Sequence, residues 1–463
     1  MALFIIYTFI IFALSFYAVH KKCTSDAFFL NNRSSSASYV ALSIIASCVG
    51  GSATIGMAGL AWQVGTPAFW WLGTGAIGLV ILTIFLARIV RQSGARTMPE
   101  MLESFIGKAP RPAISLIIVA AWLSIAAAQF SAMAAIVTPL TGLSMSTSLI
   151  LSTCIVVLYA CIGGQSAIIK SDAFQYIILI IALLVALLFF LFPEQSLYVV
   201  SIFSSSSVNA EIFPVVNSNP IHSFLNTPIE LLNEGFNASR FRYFLCILGG
   251  SYIVCPMLFS RLLSARDEKS AYLGSLYAVV GLCLSAALIV AVGIACRYYV
   301  SPTISSEQVL TTAILNAMPL WLGHFVLLGL FSAIISSADS CLITAATVLS
   351  NDILKRSDTF TCRICLLGIG LGGYILSTGG KGVLQLLLMA NDIYVCGVVM
   401  PVFIAMLLYK KYAFQQYIIT AAILFGGFLG LMSSITGDTM YSYSGLVVSG
   451  FITVCALRKK VKS

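Results

Sequence analysis

The chain has 463 residues, 59% of them hydrophobic and 9% charged, with a mean hydropathy of +1.01. An ordinary soluble domain carries roughly 25% charged residues, so there are too few charges here to coat a water-soluble surface, and a soluble enzyme or a nucleic-acid binder is excluded. The net charge of +9 reads instead as membrane topology, because Lys and Arg collect in cytoplasmic loops.

Thirteen apolar segments follow along the chain, at 2–20, 38–61, 67–90, 112–138, 146–163, 172–192, 241–260, 271–297, 320–350, 361–378, 384–408, 414–433 and 441–458. About 20 apolar residues cross the hydrocarbon core as a helix. A lipid-facing barrel would show short alternating segments instead. The prediction is an all-α polytopic membrane protein. The first run lacks a basic start and is followed by Lys21 and Lys22, so it reads as a retained helix rather than a cleaved leader. With the N-terminus outside, 21 of the 25 Lys and Arg residues fall in inner loops or the cytoplasmic C-terminus. Arg261 is counted among them. One helix more or fewer would scramble that asymmetry.

The longest polar interruption, 193–240, holds Pro193, Pro214, Pro220 and Pro228 and reads as an outer loop too small for an enzymatic domain. Cys362 and Cys365 form a lone CxxC without a histidine pair, and His20, His222 and His324 have no ligand spacing. They read as structural. Val49–Ala53 (VGGSA) in the second segment is echoed by Leu248–Tyr252 (LGGSY) in the seventh. An offset of five helices inverts orientation, as in transporters built from inverted repeats with glycine-interrupted helices at matching positions. Close helix packing explains paired glycines equally well.

Polar residues mark seams within the apolar runs. In the ninth segment Ala333, Ser336, Ser337, Ser340, Thr344 and Thr347 share a face at helical spacing. Small residues there suit helix packing. Asp339 flanks that face, and a carboxylate inside a membrane needs water, a donor or a cation. Neighbouring hydroxyls are the hard oxygen ligands that sodium takes. Asp172, in KSDAFQ, is either an N-terminal cap or a second acid near a cation path. Ala46–Thr54 (ASCVGGSAT) holds paired glycines that can free carbonyl oxygens from the helix, which is tolerated only where they meet a partner or line a cavity. Asp392 is a further intramembrane acid without an assigned role, with Asn391 as a candidate partner.

SIIASCVGG at 43–51, IGGQSAIIKSDAFQ at 162–175, PMLFSRLLSARDEKSA at 256–271 and SAIISSADS at 332–340, in this order and spacing, resemble the sodium/solute symporter family. The resemblance runs from about 38 to 430. It implies a bacterial member, seated in the inner membrane, with an inverted five-plus-five helix repeat and broken first core helices. The divisions expected are a peripheral helix and inner loop at 1–37, repeats at 38–192 and 241–408, the external loop at 193–240, and two peripheral helices with a tail at 409–463. By motif, the family's principal sodium site falls on the carbonyls of Ala46, Val49 and Ala333 and the hydroxyls of Ser336 and Ser337. A second cation site used by some members falls on Asp172, Asp339 and Ser340. The substrate region falls on Gly51, Ser52, Thr54, Met57, Gln129, Ser251 and Tyr252, though Gln129 would serve equally as a helix–helix tie. Cys48 stands where proline carriers place an acid and sugar carriers an amide, which argues against both solutes.

The function expected is Na+-coupled symport of a small organic solute, an organic acid or amino acid, by alternating access. The alternative is proton coupling through Asp172 and Asp339. No enzyme is expected, since no nucleophile–base set is visible, and no channel filter motif is present. The expected partners are the solute and the lipid bilayer. A single chain suffices for transport on this reading, with oligomers left open.

Overall fold

A segment in lipid must close its backbone hydrogen bonds internally, and this chain does so almost wholly through helices. The computed structural model describes residues 2–20, 25–192 and 224–459. Positions 193–223 of the expected outer loop, and Lys21, Lys22, Lys460 and Lys462, lie outside the described residues. The main helices are α1 (Ala2–His20), α2 (Ala37–Cys48), α3 (Ser52–Val64), α4 (Thr66–Gln92), α5 (Met98–Ile106), α6 (Pro110–Thr141), α7 (Met145–Gln165), α8 (Ala167–Leu191), α9 (Ala238–Leu263), α10 (Glu268–Tyr298), α11 (Val309–Ala317), α12 (Leu320–Ile353), α13 (Thr359–Ser377), α14 (Val383–Leu408), α15 (Gln416–Thr436) and α16 (Thr439–Cys455). Two short strands, β1 (Tyr412–Phe414) and β2 (Leu457–Lys459), pair antiparallel and tie the last two helices together at one face.

Ten of these helices are long and apolar enough to cross a membrane. The pair α2–α3, bent by 62°, makes an eleventh span. The apolar stretch Phe4–Ala13 of α1 and helix α16 are shorter. Of the thirteen expected segments, ten are helices of spanning length, one is the bent pair, and two are shorter apolar helices among the described residues.

Helix α12 is the axis of the bundle. Its most apolar window is wholly buried, and it packs against α2, α6, the joined α7–α8 pair and α13. Small residues along α12 let those neighbours approach closely. The outer helices turn large apolar side chains outward, among them Leu284, Ile375, Phe428 and Val447. Helix α1 shows how position rather than composition selects the packed face. Phe4, Tyr7 and Ile11 are buried, with the Phe4 ring 4.7 Å from that of Phe331, while Ile5, Ile6 and Phe9 are exposed.

Three breaks shape the core. Helix α2 ends at Cys48, and Val49 turns off the helical path with ψ 66°. Gly164 adopts φ +58°, where a side chain is strained and would also strike the Phe28 ring. That tight break lets α8 start at Ala167, so Asp172 lies inside a helix and is not a cap. The third break does not sit at the GGS echo. Helix α9 runs through Gly249 and Gly250 and is interrupted at Val254, which leaves the helical region, and Cys255, which is extended. Pro256 is the physical cause, since it lacks an N–H and drives the preceding residue out of helical geometry.

The described part of the outer loop is pinned to α3 and α4. The Trp70 indole donates to the Leu231 carbonyl at 2.9 Å and the Asn233 amide to that of Val64 at 2.7 Å. At the opposite face, Asp267 and Asp358 cap α10 and α13, and the N–H groups of Ser270 and Thr361 hold these carboxyls below their ordinary range. Nearby, Arg111 of α6 pairs with Glu103 of α5 at 2.6 Å and with Asp352 of α12 at 2.7 Å. Thr97 also donates to Asp352, at 3.0 Å. Fully buried pairs cost about 3–5 kcal/mol when one partner is removed. Because Arg111 is partly solvated, Asp352→Ala should cost less, about 2 kcal/mol. A thermal melt in detergent should show a fall of several degrees, and Asp352→Asn, which keeps the Thr97 bond, a smaller one.

Candidate functional site

The site is built where α2 breaks against α12. In an unbroken helix the Gly51 amide would bond the Ser47 carbonyl. Here it donates to Gln129 Oε1 of α6 at 2.8 Å. The hydroxyl of Ser337 on α12 takes the vacated position, lying 3.0 Å from the Ser47 carbonyl and 3.2 Å from that of Ala46. Gly50 is needed at this contact, since a Cβ there would collide with both Ser337 and Gln129. Ala46, Val49, Ala333, Ser336 and Ser337 are all buried. Of the two candidate sodium hydroxyls, Ser337 faces the α2 carbonyls. Ser336 turns instead to Asp172, donating to Oδ1 at 2.5 Å.

Asp172, Asp339 and Ser340 belong to a second polar cluster, and its centre is an arginine. Arg261, counted from sequence with the inner loops, is completely buried. It lies on the second half of α9, which the Pro256 break turns inward. Its Nη2 is 3.4 Å from Asp172 Oδ2 and also donates to Ser340. Ser43 of α2 donates to the same Asp172 oxygen while accepting from Arg261 Nε at 3.0 Å. Asp339 is more weakly held. Ser340 lies 3.3 Å from its Oδ1, and its Oδ2 has no partner among the described residues. Alongside, Tyr7 of α1 donates to Ser332 at 2.7 Å and accepts from Gln175 at 3.2 Å, which docks the peripheral helix onto α8 and α12.

A cavity of about 80 Å³ opens beside the α2 break. Ser52, Gln129, Ser251 and Tyr252, four of the expected substrate residues, line it, and Ser337 and Gly50 reach it from the α2–α12 contact. Gly51, Thr54 and Met57 are not among its lining residues. The Thr54 hydroxyl is spent on the Gly50 carbonyl at 2.9 Å, and Met57 is fully buried. Sequence reasoning missed Trp71, Trp122 and Asn391, which also line the cavity. A signal existed for Trp122. Tryptophan favours the membrane–water interface, and Trp122 instead falls in the middle of a 32-residue span. Its indole N–H is buried without an acceptor among the described residues. Among the described residues, no charged side chain lines the cavity.

Asp392 lies apart from the cavity. Asn391 is not its partner, donating instead to the Leu387 carbonyl at 3.0 Å. The Asp392 carboxylate accepts from Tyr243 of α9 at 2.9 and 3.0 Å and from Ser442 of α16 at 2.8 Å. It thereby joins the core to a peripheral helix.

Comparison with known proteins gives this geometry its context. The chain is 24% identical over 314 residues to the human high affinity choline transporter 1, covering 65% of this chain and 50% of that protein. It is 22% identical over 363 residues to the Haemophilus influenzae sodium/pantothenate symporter, covering 75% and 71%. It is 23% identical over 359 residues to the mouse sodium-coupled monocarboxylate transporter 2, covering 73% and 55%. The chain thus spans about half the length of the human choline transporter. Among solved structures, a Na+-coupled sialic acid symporter in a substrate-bound outward-open state superposes with a TM-score of 0.77 at 13% identity, covering 99% of this chain and 98% of that one. A nucleobase-cation-symport-1 family transporter in a closed conformation gives 0.59 at 13% identity, with 93% of each chain covered. These likenesses show the helical fold with inverted repeats. The family model for the sodium:solute symporter family matches residues 28–358. With most of its length under that model, and with transporters rather than enzymes as its relatives, this chain belongs to the sodium:solute symporter family.

Proposed function

We propose that the chain carries a small organic solute across a bacterial inner membrane together with Na+, by alternating access, with its N-terminus outside and its C-terminus in the cytoplasm. The observation that carries this reading is the Ser337 hydroxyl set against the Ala46 and Ser47 carbonyls at the break in α2. Hydroxyl and carbonyl oxygens are the ligands that a hard monovalent ion takes. With Ala46, Val49, Ala333, Ser336 and Ser337 as ligands, Na+ would join α2 to α12 and favour the shape that binds solute. Linkage makes the effect mutual. A membrane potential of ~100 mV contributes about 2.3 kcal/mol per charge moved. The relatives are named for sodium coupling rather than proton coupling, and Asp172 is paired with Arg261 instead of standing free as a relay.

We infer a small organic acid or amino acid as the solute. The buried Trp122 N–H has no acceptor among the described residues, and a buried donor left unmatched is costly. A carboxylate oxygen would satisfy it. The Trp71, Trp122 and Tyr252 rings would pack the apolar remainder of a small molecule.

Uptake by reconstituted vesicles, screened over labelled organic acids, amino acids and choline, tests both parts. Uptake that runs equally in sodium-free buffer would overturn the coupling. Ser337→Ala removes one oxygen from the ion; at about 1.5 kcal/mol for a bond to a charged group, the half-saturating sodium concentration should rise ~tenfold with little change in protein level. Trp122→Phe keeps an aromatic side chain but removes the indole N–H together with its five-membered ring. It should raise the solute KM by about tenfold on the same scale and leave the sodium response in place.

A further inference from the structure

We propose that the β1–β2 ribbon carries a seat for the phosphodiester headgroup of an anionic phospholipid. The surface lies away from the α2 break, and its role does not depend on the solute or on the coupling ion. Two basic runs from distant parts of the chain meet at this ribbon. Lys410 and Lys411 precede β1, Arg458 and Lys459 lie in β2, and the register pairs Tyr412 with Lys459 and Ala413 with Arg458. The linker between α5 and α6 brings a further cation, Lys108. It is seated by three contacts. The Ala109 amide donates to Gln416 Oε1 at 3.1 Å, Gly107 lies so close to the Gln416 side chain that a Cβ would strike it, and the Phe105 and Tyr409 rings are 4.4 Å apart. Lys108, Lys410, Lys411, Arg458 and Lys459 are all exposed.

Other cations of the chain are already committed. Arg111 pairs with Glu103 and Asp352, and Arg266 with Asp267. Arg91 donates to the Ala265 carbonyl at 2.6 Å and Arg363 to that of Cys161 at 2.9 Å. Among the described residues, none of the cations at the ribbon enters an ion pair. Lys410 lies 6.0 Å from the Tyr409 ring, and Arg458 faces the side-chain amide of Gln415. No carboxylate is at hand in the sequence either. From Ile393 to Ser463 the single acid is Asp438, at the far end of the α15–α16 hairpin, and Lys460 and Lys462 continue the basic run. The patch sits where α14 and α16 end and α15 begins, so the boundary between apolar helix and polar loop passes through it. That boundary is the level of lipid headgroups. Tyr417, 85% exposed, borders the patch together with the exposed Leu407 and Val454. These side chains meet acyl chains while the cations meet the headgroup. A zwitterionic headgroup brings no net charge. An anionic one supplies the missing negative charge and acceptor oxygens for the ammonium and guanidinium donors. A soluble anion would match the charge but leave the apolar border unused.

Full-length protein in a neutral detergent would be titrated with phosphatidylglycerol or with phosphatidylcholine of the same acyl chains, and bound lipid counted by native mass spectrometry. Phosphatidylglycerol should bind more tightly by about tenfold or more. Lys411→Gln removes one charge and should weaken it by roughly fivefold. Lys410→Gln, Lys411→Gln and Lys459→Gln together should bring it to the level of phosphatidylcholine. Equal binding of the two lipids to the wild-type chain would overturn the proposal, and so would a triple variant that keeps the preference. A control triple variant, Lys170→Gln, Lys269→Gln and Lys355→Gln, removes the same charge at other exposed positions and should bind as the wild type does. An equal loss there would show that overall charge alone is at work, and the ribbon would not be the seat. Inorganic phosphate that displaces phosphatidylglycerol at matching concentration would make the occupant a soluble anion and overturn the lipid assignment. Should the triple variant fail to purify, Lys411→Gln decides, and an unchanged preference overturns the proposal. All of these outcomes leave the sodium-coupled reading where it stands.

Discussion

Everything in this molecule turns on a helix that is not allowed to finish. At Gly50 and Gly51 the backbone of α2 loses its ladder bonds in surroundings where no bulk water can replace them. The freed groups must find partners on other helices. Gln129 takes one amide, and Ser337 meets two carbonyls. The break is therefore tolerated only because α6 and α12 lie close by, and they lie close because the residues at the contact are glycine, alanine and serine. On the function proposed, the ion site and the solute cavity would arise from the same local defect. Coupling between them needs no long pathway, because Ser337 and Gly50 border both.

The second constraint is charge. Three buried carboxylates inside the spans have specific partners. Asp172 has a guanidinium and two serines. Asp352 has Arg111 and Thr97, and Asp392 has Tyr243 and Ser442. Asp339 Oδ2 and Asp352 Oδ2 both lack a hydrogen-bond partner among the described residues, and of these two carboxylates Asp352 stands in an ion pair with an arginine. In a low-dielectric interior, removing one member of a pair costs more than removing both. These clusters therefore also act as ties between helices. The Asp172 cluster joins α2, α8, α9 and α12, and the Asp392 cluster joins α9, α14 and α16.

The partnering also explains why α12 is both the most buried span and the most polar in function. A fully buried helix cannot use hydrophobicity to choose its orientation, since every face is enclosed. Its hydroxyls and its acid choose instead. Ser332, Ser336, Ser337 and Ser340 each meet a different partner, on α1, α8, α2 and α9 respectively.

Hydropathy and the placement of Lys and Arg by themselves determined that the chain is a multi-span helical bundle, and local motifs located the residues at which its core helices bear polar groups. Both are properties of single segments in a solvent of known thickness and dielectric. What tertiary structure alone decided is how those groups are shared. Arg261 reads as an inner-loop charge because it follows the apolar run of α9, yet the Pro256 break turns that run inward and buries it against Asp172. Asp172 reads as a cap until the turn at Gly164 extends α8 past it. Gln129 and Trp122 are isolated polar atoms in one helix, and only the packing of α6 beside the α2 break gives the first an amide to accept and brings the second to the cavity wall. Partner choice depends on distances between segments far apart in the chain, and no local pattern carries that information.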